Sequence, residues 1–337
     1  TLPVEMLIAQ PRAVTAPQTL EQPPAVDAPH ALLFAEIVGQ PPEAAPKEIV
    51  QPRGHLLTLL PRWIIYLALL AAVTLPLLAG EALLARTVEP VPGVTDFYQQ
   101  VEALPEGAQV LVAFDYDPTH SGEMDVLART IVAHLMDREA RIVAVSLLPA
   151  GPATAQALLE DLAAGRPAYQ SGDGQGFANM GYLPGQAAAV RLLGQSFGAA
   201  LPQDFQGRSI NELGATQGLV NVDSFDLVVE LAATRETLRW WVEQADAPYD
   251  ISLAAGVSAA VAPLIHPYYE TPSRQLVGLV GGVQGAAMYE VLRGDQTEQA
   301  DITAARLDAQ LAGHLIMIVV LVLGAMIQLV RRDRGGH

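Results

Sequence analysis

"AQVLVAFDYDPTHSGEMD", residues 108 to 125, decides the fold class of this chain. Its first seven residues form a continuous apolar run, which is typical of a strand that is buried on both faces. The next segment repeats apolar residues at helical spacing, with Met124, Leu127, Ile131 and Leu135 on one face. A buried strand followed closely by an amphipathic helix predicts the first half of a βαβ unit.

The same alternation of strand and helix continues to about residue 294. Four further strand-like runs are "RIVAVSLL" (141 to 148), "FDLVVEL" (225 to 231), "YDISLAAG" (249 to 256) and "QLVGLVGG" (275 to 282). Residues 165 to 185 are rich in glycine and are interpreted as a loop. We therefore predict an α/β, Rossmann-like three-layer domain with a mainly parallel sheet of about five strands.

Two apolar segments flank this domain. Residues 63 to 80 contain no charged residue, and as a helix they would measure about 27 Å, close to the hydrocarbon thickness of a bilayer. Residues 311 to 330 form a second segment of similar length. Arginines precede the first segment (Arg53, Arg62) and follow the second (Arg331, Arg332, Arg334). The positive-inside rule then predicts a two-helix membrane protein with both termini in the cytoplasm and the main domain outside it.

The prolines mark off the region before the first apolar segment. Residues 1 to 62 hold 11 of the 25 prolines, a composition typical of extended chain without its own core. The predicted order is a proline-rich cytoplasmic arm (1–62), a transmembrane helix (63–80), an extracytoplasmic domain (81–310), a second transmembrane helix (311–330) and a short basic cytoplasmic tail (331–337).

Charge and composition exclude several kinds of function for the domain. Residues 86 to 311 contain 28 acidic residues and 12 arginines, a net charge of −16, which disfavours nucleic acid as a partner. The chain has no cysteine, so disulfides and thiolate chemistry are excluded. Its one lysine is Lys47, in the arm, so lysine-based catalysis is excluded from the domain.

The loop after the first strand gathers the residues best suited to chemistry. Asp115 and Asp117 follow the carboxyl end of that strand, where open α/β sheets bind ligands, and His120 is close by. These three residues are the predicted ligand site, and the two carboxylates are candidate ligands of a divalent cation. The alternative is structural: Asp117 and Pro118 make a turn, and Ser121 caps the helix that follows.

"DYDPT", residues 115 to 119, resembles the nucleophile motif of the haloacid dehalogenase superfamily. The resemblance implies that Asp115 is a nucleophile, Asp117 an acid/base and Thr119 the closing residue of the motif. Ser146, at the end of the second strand, would stand for that family's second motif. The family's next motif contains a lysine, and residues 81 to 310 contain none.

Aromatic residues in two places predict interaction surfaces. Trp240 and Trp241 are adjacent on a predicted helix, so their side chains point about 100° apart and both cannot face one core. "LIHPYYETPSR", residues 264 to 274, is interpreted as a proline-bounded loop that presents His266, Tyr268 and Tyr269. Ordinary packing at the edge of a helix is the alternative for the tryptophans.

The remaining catalytic signal is weak. "GQSFG", residues 194 to 198, has the form of a nucleophile elbow but follows a predicted helix rather than a strand, so we interpret it as a helix C-terminal turn. With no complete catalytic motif and no catalytic residue assigned, enzymatic activity is left open and not favoured, and no cofactor beyond the candidate cation is predicted.

Two functions follow as hypotheses. The leading one is a non-enzymatic two-pass membrane subunit, whose partners are the lipid bilayer and other membrane proteins. The alternative is an extracytoplasmic, membrane-anchored, metal-dependent hydrolase or ligand-binding receptor that uses the Asp115/Asp117 loop.

Overall fold

The structure is a computed structural model, and it describes residues 36, 56–80, 89–170, 176–270, 272, 274–294 and 298–334. The chain divides into two compact units, Thr1–Pro61 and Arg62–His337, and the second contains the α/β domain. Apart from Glu36 and the start of the first helix, the predicted arm at 1–62 lies outside the described residues.

The described elements follow one another as alternating helices and strands. The helices are α1 (Leu56–Ala79), α2 (Pro92–Glu102), α3 (Ser121–Asp137), α4 (Gly151–Ala163), α5 (Ala187–Gln195), α6 (Phe197–Ala200), α7 (Arg235–Trp241), α8 (Ala247–Tyr249), α9 (Ala262–Glu270), α10 (Gly282–Arg293) and α11 (Glu298–Arg334). The strands are β1 (Gln109–Asp115), β2 (Arg141–Ser146), β3 (Phe177–Tyr182), β4 (Leu227–Ala232), β5 (Leu253–Val257) and β6 (Gly278–Gly281). A π-helical turn, Val242–Asp246, joins α7 to α8.

The six strands form one parallel sheet in the order β3-β2-β1-β4-β5-β6. This is the strand order of a doubly wound α/β fold, in which the chain reverses its direction of winding between β1 and β4. The predicted α/β class and parallel sheet are confirmed. The sheet has six strands rather than about five, because β3 lies inside the segment that was interpreted as a glycine-rich loop.

β3 was not recognised as a strand from its sequence because its stability comes from contacts with neighbouring elements. Its sequence, FANMGY, contains Asn179 and Gly181, residues that are rare in strands. The Asn179 amide donates to the carbonyl oxygen of Pro152 at 2.8 Å, and its Oδ1 accepts from the backbone N–H of Gly181 at 3.1 Å. Pairing with β2 and these side-chain bonds compensate for the low strand propensity.

Two hydrophobic cores cover the two faces of the sheet. One contains α2, α3, α4 and α10, with Phe97, Ile131 and Leu158 among its buried residues. The other contains α5, α6, α7 and α9, with Phe197 and Trp241. Side chains alternate between the two cores along each strand, which gives the predicted three layers.

Residues 262 to 270 form helix α9, whereas residues 264 to 274 were interpreted as a loop, and that interpretation was wrong. Pro267 lies inside this helix and removes one backbone donor. Ile265 and Tyr269 lie four residues apart on its buried face. Their packing on the sheet outweighs the low helix propensity of proline.

Among the described residues, two helices are long and apolar enough to cross a membrane: α1, over Arg62–Ala79, and α11, over Ala300–Met326. Within each stretch, only 6% of the apolar 18-residue window is buried within the protein. α11 is a continuous helix of 37 residues, about 55 Å long at 1.5 Å per residue. Its first part was not predicted as helix, and it carries the chain without interruption from the domain into the apolar stretch.

The first part of α11 packs on α3 and α10 and runs parallel to the strands. The Thr303 hydroxyl lies 3.4 Å from Glu290 Oε1, near the end of α10. Three residues later, Arg306 Nη1 donates at 3.0 Å to the carbonyl oxygen of Gly122, in the first turn of α3. Because α3 starts where β1 ends, α11 runs toward the edge of the sheet at which the strands end, called here the carboxyl edge.

α2 also begins at the carboxyl edge. A side chain at Gly93 would come within 3.0 Å of the carbonyl oxygen of Leu279, and one at Gly278 would meet Phe97 at 2.5 Å. The order of these contacts makes α2 antiparallel to β6. The connections to both apolar helices therefore leave the domain at the same edge, and a Cβ at Gly313 of α11 would lie 3.5 Å from Val73 of α1.

Candidate functional site

Asp115 lies at the carboxyl end of β1, at the point where the winding of the sheet reverses. Its side chain is fully buried. Oδ1 accepts from the backbone N–H of Leu147 at 2.6 Å and from the Ser146 hydroxyl at 3.3 Å, and Oδ2 accepts from the indole N–H of Trp241 at 3.2 Å. Asp115 thus joins β1 to the end of β2 and to α7.

Glu230 is a second buried carboxyl group on the same face of the sheet. It pairs in register with Ala113 on β1, two residues before Asp115. Among the described residues, neither Glu230 oxygen has a hydrogen-bond partner in normal geometry. The pKa of Glu230 is raised well above its ordinary value, first by burial and then by the negative charge of Asp115. We infer that Glu230 is protonated at neutral pH.

The pKa of Asp115 is also raised by burial, but its hydrogen bonds act in the opposite direction. The largest of these comes from the Leu147 N–H, and the neighbouring Glu230 carboxyl group and then the Trp241 and Ser146 side chains add to it. Donors stabilise the charged form of a carboxyl group. Asp115 and Glu230 are therefore a buried acid pair in which Glu230 holds the proton.

Asp117 and His120 lie together in the turn after β1, separately from Asp115. Asp117 Oδ1 accepts from the Thr119 N–H at 2.9 Å and lies 2.9 Å from His120 Nδ1. The hydrogen bonds from the Thr119 hydroxyl and then from His120 lower the pKa of Asp117. The Asp117 and His120 side chains are each 43% exposed. The structure brings Asp117 to His120, and it buries Asp115 among other partners.

The start of α3, which follows this turn, is fixed by hydrogen bonds to other acidic residues. Asp117 caps the short 3₁₀ turn, and Ser121 is the first residue of α3 rather than its N-cap. Glu123 Oε1 accepts from the backbone N–H of Ala259 at 2.8 Å, and Asp125 accepts from the Tyr116 hydroxyl at 2.9 Å. Asp117 and the acids in the first turns of α3 are thus engaged in hydrogen bonds within this region and to the loop at Ala259.

A cation at Asp115 and Asp117 stays a prediction. Over the ranges that the structure describes, no group of three or more His, Asp or Glu side chains is arranged to hold a metal ion. A substrate or ion that reached Asp115 would also have to displace the N–H donors of Leu147 and Trp241. The haloacid dehalogenase resemblance has the same difficulty, since its nucleophile would be this fully buried carboxylate.

The predicted interaction residues are placed in different environments. Trp241 is fully buried and belongs to the core beside Asp115, so it is not available to a partner at the surface. Trp240 is partly buried and packs against the same core. Tyr269 is buried and its hydroxyl donates to Asp96 Oδ2 at 2.7 Å, while Tyr268 is partly buried. His266 is exposed, with Nδ1 3.3 Å from Glu270 Oε2.

A buried histidine that the sequence analysis did not single out ties α2, α3 and α10 together. His134 Nδ1 lies 2.9 Å from the Tyr289 hydroxyl and Nε2 lies 3.0 Å from Glu102 Oε2. Its ring stacks on Tyr98 with 5.0 Å between centroids. Burial lowers the pKa of His134 despite the Glu102 carboxylate, so the neutral form is favoured at neutral pH. The available signal was a histidine on the apolar face of a predicted helix.

The loops at the carboxyl edge are poor in charge. They comprise residues 116–120, 147–150, 183–186, 233–234 and 258–261, and Asp117 is the one Asp, Glu, Lys or Arg among them. The loops that precede the strands, at the opposite edge, contain acids such as Glu106, Glu139, Asp226 and Asp250. The carboxyl-edge loops themselves are therefore poor in charge, and the acids that reach them, Glu123 and Asp125, come from the start of α3.

Ser196, in the "GQSFG" stretch, follows the last residue of α5, as predicted for a helix C-terminal turn. It is also the N-cap of the short helix α6, where its Oγ accepts from the N–H of Ala199 at 3.4 Å. This is a capping interaction and not a nucleophile elbow, which requires a preceding strand.

No protein-family model, curated protein or solved structure matches this chain. The fold defines a doubly wound α/β protein joined to two apolar helices, and that fold alone implies no activity.

Proposed function

We propose that this protein is a non-enzymatic subunit of a membrane protein complex, with α1 and α11 in the bilayer and the α/β domain outside the cytoplasm. The observation that carries this proposal is the unbroken course of α11. Its first turns are part of the domain's core, where Thr303, Ala305 and Leu307 are buried. The same helix then presents large apolar side chains on all sides.

Lipid is the environment that suits these exposed side chains. Leu67 and Leu70 of α1 are each 59% exposed, and Ile318 and Leu321 of α11 are 56% and 67% exposed. Apolar surface in water costs about 25 cal/mol for each Å², and contiguous patches of this kind mark membrane or protein contacts. Helices satisfy their own backbone hydrogen bonds, so they are stable in a bilayer.

The orientation rests on the flanking charges. The arginines at 53, 62, 331, 332 and 334 adjoin the outer ends of the two helices, which favours a cytoplasmic location for those ends. The domain between them has a net charge of −16, from 28 acids and 12 arginines over residues 86 to 311. The carboxyl edge, with its charge-poor loops, would then face the bilayer, because both connections leave there.

Assembly has more support than catalysis because the candidate catalytic carboxylates are already occupied by structural hydrogen bonds. Asp115 is enclosed by three donors, and the carboxyl edge, where α/β folds take soluble ligands, is directed at the membrane in this arrangement. The metal-dependent hydrolase or receptor alternative needs Asp115 and Asp117 to converge, and they have separate partners.

A pair of exposed aromatic residues is the surface that we assign to a protein partner. Tyr182 and Phe205 are 42% and 49% exposed. They lie at the outer edge of β3, where the Phe205 N–H donates to the Asn179 carbonyl oxygen at 2.7 Å and the Phe205 ring lies 3.7 Å from the Cβ position of Gly181. Exposed aromatics beside a sheet edge are typical of protein interfaces.

The first test is capture of the tagged full-length protein from native membranes in mild detergent, followed by mass spectrometry. We expect stoichiometric membrane partners, and we expect Phe205→Ser to lose them. Val291→Ser is the matched control, because Val291 is 56% exposed on α10, away from β3. A wild-type protein that is recovered alone would contradict the assembly proposal.

Membrane topology is tested separately by single-cysteine labelling, for which the cysteine-free chain is a ready background. Ala157→Cys, on the exposed surface of α4, should react in intact cells with a maleimide that cannot cross membranes. Glu36→Cys, in the arm, should react only after the membrane is permeabilised. The reverse pattern would overturn the proposed orientation.

A further inference from the structure

A cavity of about 400 Å³ lies at the outer edge of β6, between α2, α9 and α10. This volume is within the range of small-molecule sites. Its walls are mainly apolar and include Val94, Ala262, Leu279 and Met288. Its polar lining comes chiefly from the side chains of His266, Glu270 and Gln284.

The shape of the cavity follows from the way in which the sheet ends. β6 is the last strand, and α9 and α10 pack on its two faces, so the two helices leave a gap beyond the strand edge. α2 closes one side of the gap through the contact of Gly93 with Leu279. On the other side, a Cβ at Gly285 would lie 2.9 Å from Val280, so the close packing of α10 requires glycine.

The polar groups around the cavity are few, and the charged ones lie at its exposed rim. Tyr269 also lines it, but its hydroxyl is already bonded to Asp96. His266 and Glu270 pair with each other at 3.3 Å and are 52% and 68% exposed, so they form a rim rather than a buried anchor. A ligand would therefore be held mainly by apolar contact, and the Glu270 carboxylate would repel a negatively charged end.

The cavity begins at the edge of the domain that is nearest the apolar helices. Val91 and Pro92, at the start of α2, line it, and α2 starts at the carboxyl edge. Val91 is 47% exposed, and Leu264, in the first turn of the neighbouring α9, is 54% exposed. The lining extends along α9 from Ala262 to Glu270, about 12 Å at 1.5 Å per residue.

We propose that this cavity binds the hydrocarbon chain of a membrane amphiphile whose polar group is uncharged or zwitterionic. An elongated apolar chamber with a sparse polar rim fits one chain, and exposed apolar residues at its entrance lead toward the bilayer. The inference rests on the proposed function in one respect, that the carboxyl edge faces the membrane.

The test uses the full-length protein in lipid nanodiscs that contain phosphatidylcholine with a photoreactive diazirine near the end of its acyl chain. After irradiation, adducts are located by mass spectrometry. We expect adducts on α1 and α11, and a separate set on Leu279, Met288 and their neighbours. Ala262→Phe, which fills the chamber, should lose most of the second set and keep the first.

Two variants control for indirect effects. Ala157→Phe makes the same change on the exposed surface of α4 and should leave both sets of adducts intact. Met288→Phe narrows the chamber from the opposite wall and should also lose most of the cavity adducts. It replaces Ala262→Phe as the test if Ala262→Phe folds poorly.

The outcomes separate the two proposals. Adducts on α1 and α11 without adducts in the cavity, or cavity adducts that persist unchanged in both filling variants, would overturn the amphiphile site and leave the membrane proposal standing. An absence of adducts on α1 and α11 would overturn the membrane proposal itself. Equal cavity labelling by a water-soluble diazirine of similar size would point to an aqueous ligand and would also overturn the inference.

Discussion

The raised pKa of the buried Glu230 carboxyl group makes the stability of the fold depend on pH. The folded pKa is raised above the ordinary 4.5, so the folded state binds a proton that the unfolded chain releases. Stability from this group is therefore full below about pH 4.5 and declines as the pH rises, by up to about 1.4 kcal/mol per pH unit, until the folded pKa is reached.

We expect Glu230→Gln to remove that decline. The amide has nearly the shape of the protonated acid and does not ionise, so the variant should gain stability relative to the wild type as the pH rises. The measurement is urea unfolding of the full chain in detergent from about pH 4.5 to about pH 8, followed by tryptophan fluorescence. Parallel stability curves for the two proteins would show that Glu230 ionises normally.

Asp115 and Asp117 provide a matched pair of substitutions. Asp115→Ala leaves the buried N–H groups of Leu147 and Trp241 without an acceptor, and each unsatisfied buried group costs about 1–3 kcal/mol. Asp117→Ala removes only the cap of an exposed turn, so we expect a much smaller loss. The free energy of unfolding of the two variants measures this difference, and equal losses would mean that Asp115 has no structural role.

At this scale the sequence predicted that Asp115 and Asp117 follow the first strand, but not their surroundings. Asp115 and Asp117 are two positions apart in the chain, yet one is enclosed by β2 and α7 and the other is in solvent. Those partners are contributed by residues 31 or more positions away. Glu230 had a local signal, a single acid within the apolar stretch "LVVEL", residues 227 to 231, but its partner could be identified only from the strand order.

At the scale of an element, the start of α11 has the clearest energetic role. Ala305, Leu307 and Ala309 are buried against the domain, and full burial of one leucine side chain alone contributes about 1.5–3 kcal/mol. We expect a fragment of residues 89–310 to fold and a fragment of residues 89–294 to be less stable by at least that amount.

Urea unfolding followed by circular dichroism compares the two fragments. Equal midpoints would mean that the domain is complete without α11 and that the helix is attached to it only by the chain. A Leu307→Ala variant of the longer fragment provides an intermediate case, since it keeps the helix and removes one buried side chain.

Elements with strong local patterns were predicted, and those that depend on distant contacts were not. Continuous apolar runs are recognisable from the sequence alone, and β1, β2, β4 and β5 are of this kind. β3 depends on the Asn179 amide and on pairing with β2, and α9 contains Pro267. The helical course of residues 298 to 310 was hidden by Asp301, Arg306 and Asp308, which break the apolar pattern although the backbone continues.

At the scale of the whole molecule, the sequence predicted two apolar segments and an acidic domain between them. It did not predict which edge of the sheet the two segments adjoin. That edge is decided by the hairpin of α10 and α11, because a short connection makes α11 antiparallel to α10 and therefore parallel to the strands. Under the proposed membrane arrangement, this one connection decides how the carboxyl edge, its charge-poor loops and the cavity beside β6 are placed relative to the bilayer.

Because α11 is unbroken, it also fixes the rotation of the domain about the helix axis relative to the apolar part of the helix. A helix turns by 100° per residue, so every side chain of α11 that the proposed function places in the bilayer has a set azimuth around the axis relative to the domain. One leucine inserted after Gln310 would rotate the domain by about 100° relative to the membrane segment, and two would rotate it by about 200°. Seven would restore the azimuth to within about 20°, although the domain would stand farther from the bilayer.

We expect partner capture to fall with insertions of one or two leucines and to recover with seven. Capture that falls steadily with the number of inserted residues would mean that partner binding depends on the distance between the domain and the bilayer and not on the rotation of the domain. If recovery is observed, α11 couples the rotation of the domain to the rotation of the proposed membrane segment, so that a rotation of one about the helix axis is transmitted to the other.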